Sequence, residues 1–254
     1  MRAEARLVAE ANGRGGTRLA TVYGEPPLLP RRTGNGGDHV EVHLVGGAAG
    51  PLGGDDLRIH LDVGPGAHLV VRTVAASLAQ PSHPPAPSTL TITATVRGSL
   101  AWLPEPTVAV AGCDHETTSI VDLADGAELM WREELIAGRH GERPGDLTTR
   151  TTVRYAGCTI LRHDLAIGAH HDAGPATIGG ARAVGTLLVV GRRAPTESEV
   201  RSATAAVMPL AQGPAALVSA TAPDATRLRE ALDGVTVNTR THDPNAKPDI
   251  CRKN

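Results

Sequence analysis

The sequence predicts a mainly β protein of sandwich, barrel or stacked-coil type, with a small C-terminal α/β segment. Three observations predict it: two-residue hydrophobic alternation through most of the chain, Gly- and Pro-rich breakers at roughly eight-to-twelve-residue spacing, and helix signals confined to residues 195–235.

The alternation is clearest from residue 57. Leu57, Ile59, Leu61 and Val63 fall on one face while Arg58, His60 and Asp62 fall on the other, as in a half-buried strand. Gly64-Pro65-Gly66 turns the chain, and HLVVRTV resumes the pattern, so 57–74 reads as a hairpin or as two strands joined by a tight corner. The same grammar continues through LTITATV (90–96), SLAWL (99–103), TTSIVDL (117–123), AELMWREEL (127–135), LTTRTTVRY (147–155) and CTILRHDLAI (158–167). Two stretches differ. PSHPPAPS at 81–88 holds four prolines in eight residues and reads as a loop. ESEVRSATAAVMPLA (197–211) and DATRLREALDG (224–234) read as helices, the second with Asp224 as N-cap, Leu228 and Leu232 four apart and Gly234 at its end. Residues 1–240 form one β-rich domain on this reading, and 241–254, which lose apolar content, form a mobile tail.

Composition narrows the function. The chain is 41% hydrophobic but 2% aromatic, without Phe, so the core rests on Val, Leu, Ile and Ala. A net charge of −2 gives no general attraction to nucleic acid or to an anionic membrane. The two lysines, Lys247 and Lys253, are both near the C-terminus, so none in the body can form a Schiff base. Cys113, Cys158 and Cys251 are odd in number and widely spaced, which indicates neither a disulfide framework nor a zinc ribbon. With no signal-peptide core or transmembrane run, a cytoplasmic location is expected.

The stretch LVGGAAGPLGGDDL (44–57) is glycine-rich, but Asp55 and Asp56 stand where a phosphate loop needs Lys-Ser/Thr, and a strand follows where a helix is required. HETTS (115–119) ends in Ser119 where a zinc-binding HExxH has its second histidine, and it lies on a strand. The histidines are scattered apart from His170-His171-Asp172, a polar loop more readily than a metal site. Asp55-Asp56 and Glu133-Glu134 are neighbouring carboxylates, each expected to place one residue inward and one in solvent. No nucleophile, base and orienting group share a motif, so the chain reads as a binding or scaffold protein. A β-helical carbohydrate-active enzyme and an unrelated β-rich interaction module are the alternatives, the first disfavoured by the scarcity of aromatic platforms.

Four ordered segments, GGxxGPLGGDDL, LDVGPGAHLVVRTVAAS, GSLAWLPEPTVAV and LADGAELMWREELIAGRHGE, resemble the urease accessory protein family called UreD or UreH. Gly53, Gly54 and Asp55 match its Gly-Gly-Asp; Thr73, Ala75, Ala76 and Ser77 its Thr-x-Ala-Ala segment; Trp102 and Pro104 its Trp-Leu-Pro; Gly138, Arg139 and Glu142 its Gly-Arg…Gly-Glu stretch. Leu78 stands where a lysine is common, and Glu105-Pro106 replaces Gln-Glu. The resemblance implies stacked, helically wound sheets like a β-helix and a non-catalytic chaperone that works with UreF, the GTPase UreG and the urease structural subunits. It implies no tightly bound cofactor but nickel in transit, with Asp55 and Glu142 as the candidate carboxylates of its path. Isolated carboxylates suit such transit because they hold a cation weakly enough to release it.

Overall fold

The computed structural model describes residues 1–34, 39–168, 174 and 178–233. The chain winds between two sheets. The first, sheet A, has the order β14-β13-β11-β8-β5-β1-β2, and the second, sheet B, β16-β17-β18-β15-β12-β9-β6-β4-β3. In chain order, β1 (Arg2–Ala11) and β2 (Thr17–Gly24) form a hairpin in sheet A, and β3 (Leu28–Thr33) and β4 (Val40–Gly46) one in sheet B. The coils follow: β5 (Asp56–Val63) in A, β6 (His68–Thr73) in B, β8 (Ser88–Val96) in A, β9 (Ser99–Leu103) in B, β11 (Asp114–Leu123) in A, β12 (Glu128–Ile136) in B, and β13 (Asp146–Tyr155) in A. Each strand pairs in parallel with its counterpart in the next coil. The stacked-coil form of the prediction holds, and of the two readings of 57–74 the tight corner holds, because β5 and β6 lie in different sheets.

Parallel coils need corners. Gly98 supplies one: a Cβ there would stand 2.2 Å from the carbonyl oxygen of Ala67. The interior between the sheets is aliphatic, with Leu7, Ile59, Leu69, Leu100 and Leu129 among its fully buried side chains, and the stacked pair Trp102 and Trp131, ring centroids 5.4 Å apart, at its centre. The antiparallel strand β14 (Cys158–Ile167) then closes sheet A. β15 (Ala183–Val190), which is buried on both faces, extends sheet B.

The helix expected over 197–211 is absent. Those residues form β16 (Glu199–Ser202) and β17 (Ala205–Pro209), which pair with each other and, through β17, with β18 (Ala215–Ala222). Ala205 and Val207 point inward on a two-residue period, so the open edge of β18 overrides the local helical propensity. The second helix is present as α1 (Ala225–Asp233), where Asp224 Oδ1 accepts the backbone N–H of Arg227 at 2.8 Å as an N-cap. Leu228 and Leu232 are fully buried against the outer face of sheet B. The segment 241–254 and His170-His171-Asp172 lie outside the described residues.

Candidate functional site: a cavity opening through sheet B

Sheet B is interrupted where two of its strands stop early. β6 ends at Thr73 and resumes as β7 (Ser77–Ala79); β9 ends at Leu103 and resumes as β10 (Thr107–Ala109). The strand β12 runs unbroken past both gaps and pairs with β9 before them and β10 after them. The linkers tie themselves together by other donors. Thr73 Oγ1 donates to the Ala75 carbonyl at 3.0 Å and accepts the Glu105 N–H at 2.9 Å, and the Ser77 N–H donates to the Pro106 carbonyl at 2.9 Å. Arg132 Nη2 donates to the carbonyls of Pro104 at 3.3 Å and Leu103 at 3.5 Å.

A cavity of about 480 Å³ occupies this interruption. Its rim carries the exposed residues Ala48, Ala49, Val74, Ala75, Ala76 and Leu78. Its walls are mainly aliphatic, from Leu57, Ile59, Leu90 and Ile92, with Trp102 on the side of sheet B. A few polar groups converge there: His115, Thr117 and Thr149 from sheet A, and Glu133 from sheet B, with Arg132, Glu134 and Glu105 where the wall reaches the outer face. Mainly apolar walls with a few placed polar groups are the usual character of a binding cavity.

Glu133 is the junction of the two sheets. Its Oε1 accepts from Thr151 Oγ1 at 2.7 Å, Trp131 Nε1 at 3.3 Å and Ser119 Oγ at 3.4 Å. It lies deep in the protein yet keeps accessible area, because that area faces the cavity. Burial raises its pKa above the usual carboxylate value, against the opposing effect of the three donors and of His163. Thr149 Oγ1, in a residue only 3% exposed, has no protein partner. His115 Nδ1 is 2.8 Å from Ser88 Oγ and its Nε2 is 3.2 Å from Thr117 Oγ1; desolvation lowers its pKa to about 4, so the imidazole is neutral at pH 7 and able to offer a lone pair. Cys113, also buried, has its thiol pushed up to about 11, mainly by desolvation, and provides no thiolate at neutral pH. Among the described residues, no three His, Cys, Asp or Glu side chains gather into a set that could hold a metal ion.

The residues singled out from sequence divide into two groups. Thr73, Ala75, Ala76, Ser77, Trp102 and Pro104 all line the cavity. Asp55 and Glu142 are not among its lining residues. Asp55 is buried just before β5, as expected, but both its oxygens are engaged: Oδ1 accepts from the Met1 amino group at 2.8 Å and Oδ2 from the Leu52 N–H at 2.9 Å. It holds the turn that forms part of the rim. Glu142 receives the guanidinium of Arg139 in a two-pronged contact at 2.8 and 2.9 Å and the Arg139 N–H at 3.0 Å, which together hold its carboxyl down to about 2. Gly138, with φ +73°, permits that turn, since a Cβ there would stand 2.7 Å from the Glu142 carbonyl oxygen. Gly53 and Gly54 pack the rim onto the proline-rich loop: their N–H groups donate to the carbonyls of Gln80 and Pro87, each at 3.0 Å.

Sequence reasoning missed His115, Thr149 and the role of Glu133-Glu134. The expectation that one carboxylate of Glu133-Glu134 is solvated is corrected: Glu133 faces the cavity, and Glu134 is buried on the opposite face, beneath α1. For Asp55-Asp56 the expectation holds, with Asp55 buried and Asp56 near the surface beside Arg58. His115 shares the strand segment read as a failed HExxH, and only its place opposite Ser88 reveals its burial.

The six motif residues come from two separate segments, which follow the paired strands β6 and β9 and so meet at one opening. A sequence profile of the UreD urease accessory protein matches residues 1–252. The chain belongs to the UreD urease accessory protein family. It is 46% identical over 242 residues to urease accessory protein UreD of Streptomyces coelicolor, covering 92% of this chain and 95% of the relative. The UreD of a Parafrankia species is 44% identical across 92% of this chain and 88% of its own, and UreD 1 of Saccharopolyspora erythraea 42% across 75% and 77%. Membership in the UreD family gives the chain an accessory role in urease maturation. Among the described residues, no helix is long and apolar enough to cross a membrane.

Proposed function

We propose that this UreD family member is a non-enzymatic scaffold in the cytoplasm that binds the urease apoprotein and UreF, acts with the GTPase UreG, and passes nickel through the cavity in sheet B. The observation that carries the proposal is the cavity itself. It is built at a break lined by the family-motif residues, and it presents the Glu133 carboxyl group, a neutral imidazole and an unengaged hydroxyl, with Glu134 and Glu105 towards the outer face, without a closed ligand set. Sparse oxygen and nitrogen donors hold Ni²⁺ weakly, and weak holding is what transit requires.

Within this reading the two carboxylates expected from sequence keep distinct parts. Asp55 shapes the rim through its turn, and its charge lies near enough to His115 to favour the protonated imidazole. Glu142 is proposed as an outlying carboxylate beside the Cys113 end of β11, held ionised by Arg139.

The test is co-expression with the urease subunits and the other accessory proteins. Co-purification with urease or UreF, and loss of nickel-dependent urease activity when the gene is deleted, are expected. Full activity in the deletion strain, or Glu133→Gln with Thr149→Val activating urease as well as wild type, would sink the route.

A further inference from the structure

The inner face of sheet A changes character from one strand to the next. Leu57, Leu90, Thr117 and Thr149 stand side by side in one row of the ladder, and Ile59, Ile92, Ser119 and Thr151 in the next. Each row is aliphatic on β5 and β8 and hydroxylated on β11 and β13. All four residues of the first row line the cavity.

Three of the four hydroxyls are engaged within the protein. Ser119 and Thr151 donate to Glu133, and Thr117 Oγ1 is 3.2 Å from His115 Nε2. Ser88 Oγ donates to the Asp114 carbonyl at 3.4 Å, so His115 Nδ1–H donates to Ser88, and Nε2 keeps the lone pair that accepts the Thr117 hydroxyl. Thr117 Oγ1 is left able to accept. Thr149 Oγ1 has no protein partner, although its residue is only 3% exposed, and a buried hydroxyl without a partner is destabilising. The ladder sets Thr149 directly beside Thr117, about 5 Å away across the strands.

Water alone does not suit this space. A buried water needs several polar partners, and the side formed by Leu57, Ile59, Leu90 and Ile92 offers none. A resident cation would have Glu133 as its single carboxyl donor, because Glu105 is paired with Arg229, and Glu134 with Arg229 and Arg132. Both halves of the wall are satisfied by an uncharged group that accepts from Thr149, donates to Thr117 and carries a hydrocarbon body. A carboxamide has this pattern, with its acceptor and donor side by side in one plane.

We propose that the cavity receives an amide group borne on an aliphatic body, its carbonyl oxygen on Thr149, its N–H on Thr117 and its body against Leu57, Leu90 and Ile92. A free amide and an apolar peptide segment share this chemistry. The inference goes beyond the nickel route and does not rest on it: an amide seated there and an ion in passage exclude each other in space.

Hexanamide is the probe, with hexanoate and hexylammonium as its charged counterparts. The two tryptophans of the chain are Trp102, which lines the cavity, and Trp131, stacked on it, so their emission reads occupancy in the full chain. Hexanamide is expected to shift the emission saturably, with half-saturation at about 1 mM. Each charged counterpart should bind at least about tenfold more weakly, because its ion must be desolvated against aliphatic walls. Thr149→Val keeps the shape, removes the hydroxyl and should weaken hexanamide about tenfold, whereas Thr149→Ser should bind it like wild type. Equal affinity for hexanamide in Thr149→Val, or equal affinity of wild type for the charged counterparts, overturns the site; if the Val variant does not fold, the selectivity of wild type decides alone. Absence of a saturable shift with any probe leaves an ordered water as the occupant and overturns it too. Where the site stands, saturating hexanamide that releases co-purified UreF or urease subunits assigns the amide to a segment of that partner, and retention of the partner assigns it to a free molecule.

Discussion

Thr151 Oγ1 donates to Glu133 Oε1 at 2.7 Å across the space between the two sheets, so one carboxyl group joins β11, β12 and β13 while facing the cavity. Glu133→Gln keeps a carbonyl oxygen for the three donors and removes the charge. It is expected to fold like wild type and to activate urease poorly. Glu133→Ala strands Ser119, Thr151 and Trp131 and costs about 2 kcal/mol by urea denaturation.

His115 predicts an acid-side weakness. Its folded pKa of about 4 lies below the ordinary 6.5, so between these values the unfolded chain takes a proton that the folded chain refuses. Its contribution is complete above pH 6.5 and is lost as pH falls towards 4, on the order of 3 kcal/mol. Glu133 has the opposite sign: its raised pKa favours folding below its ordinary value of 4.5 and loses that benefit as pH rises. Denaturation midpoints across this range should show His115→Gln with a flatter acid limb than wild type; an unchanged slope would mean the imidazole titrates freely.

Gly53→Ala tests the corner beneath the rim. A Cβ there would stand 2.3 Å from Ser82 Oγ and 2.6 Å from the Ala86 carbonyl oxygen, forcing the rim away from the proline-rich loop. A loss of about 1–3 kcal/mol in thermal denaturation is expected, with faster proteolysis in 81–88. Gly112→Ala, whose nearest neighbours are 3.7 Å and 3.9 Å away, meets only the backbone penalty of φ +76° and should lose less.

Asp55 and Glu142 should separate. Asp55→Ala removes the acceptor of the Leu52 N–H and of the Met1 amino group, and is expected to cost about 1–3 kcal/mol, with urease activation falling alongside folded protein. Glu142→Ala releases an exposed arginine, its own turn and the Ala111 backbone, all near the surface, so its melting temperature should fall by no more than a few degrees. If urease activation falls in Glu142→Ala while folding does not, the carboxylate belongs to the nickel route; if activation is also unchanged, it is a turn residue.

The coils were legible because alternation and breakers are local: Leu57, Ile59, Leu61 and Val63 announce their buried face without any knowledge of the partner strand. β17 was misread because Ala205, Ala206 and Met208 favour a helix locally, and the deciding term is the vacant edge of β18. Part of the cavity lining, with Thr73, Ala75, Trp102 and Pro104, was visible through family motifs. The polar interior was hidden for a different reason. Glu133 and Thr151 are 18 residues apart, and His115 and Ser88 are 27 apart, and only the winding of the coils brings each pair together.

The parallel ladders of β5, β8, β11 and β13 have a mechanical meaning. Each of these layers is bonded chiefly to the layers next to it, like coins in a roll, and the roll is closed at its two ends by antiparallel strands. Such a stack comes apart from an end more readily than from the middle. The cavity, set against its central layers, is thereby placed where the structure opens last, while loops at the corners can lengthen or shorten among relatives without disturbing it.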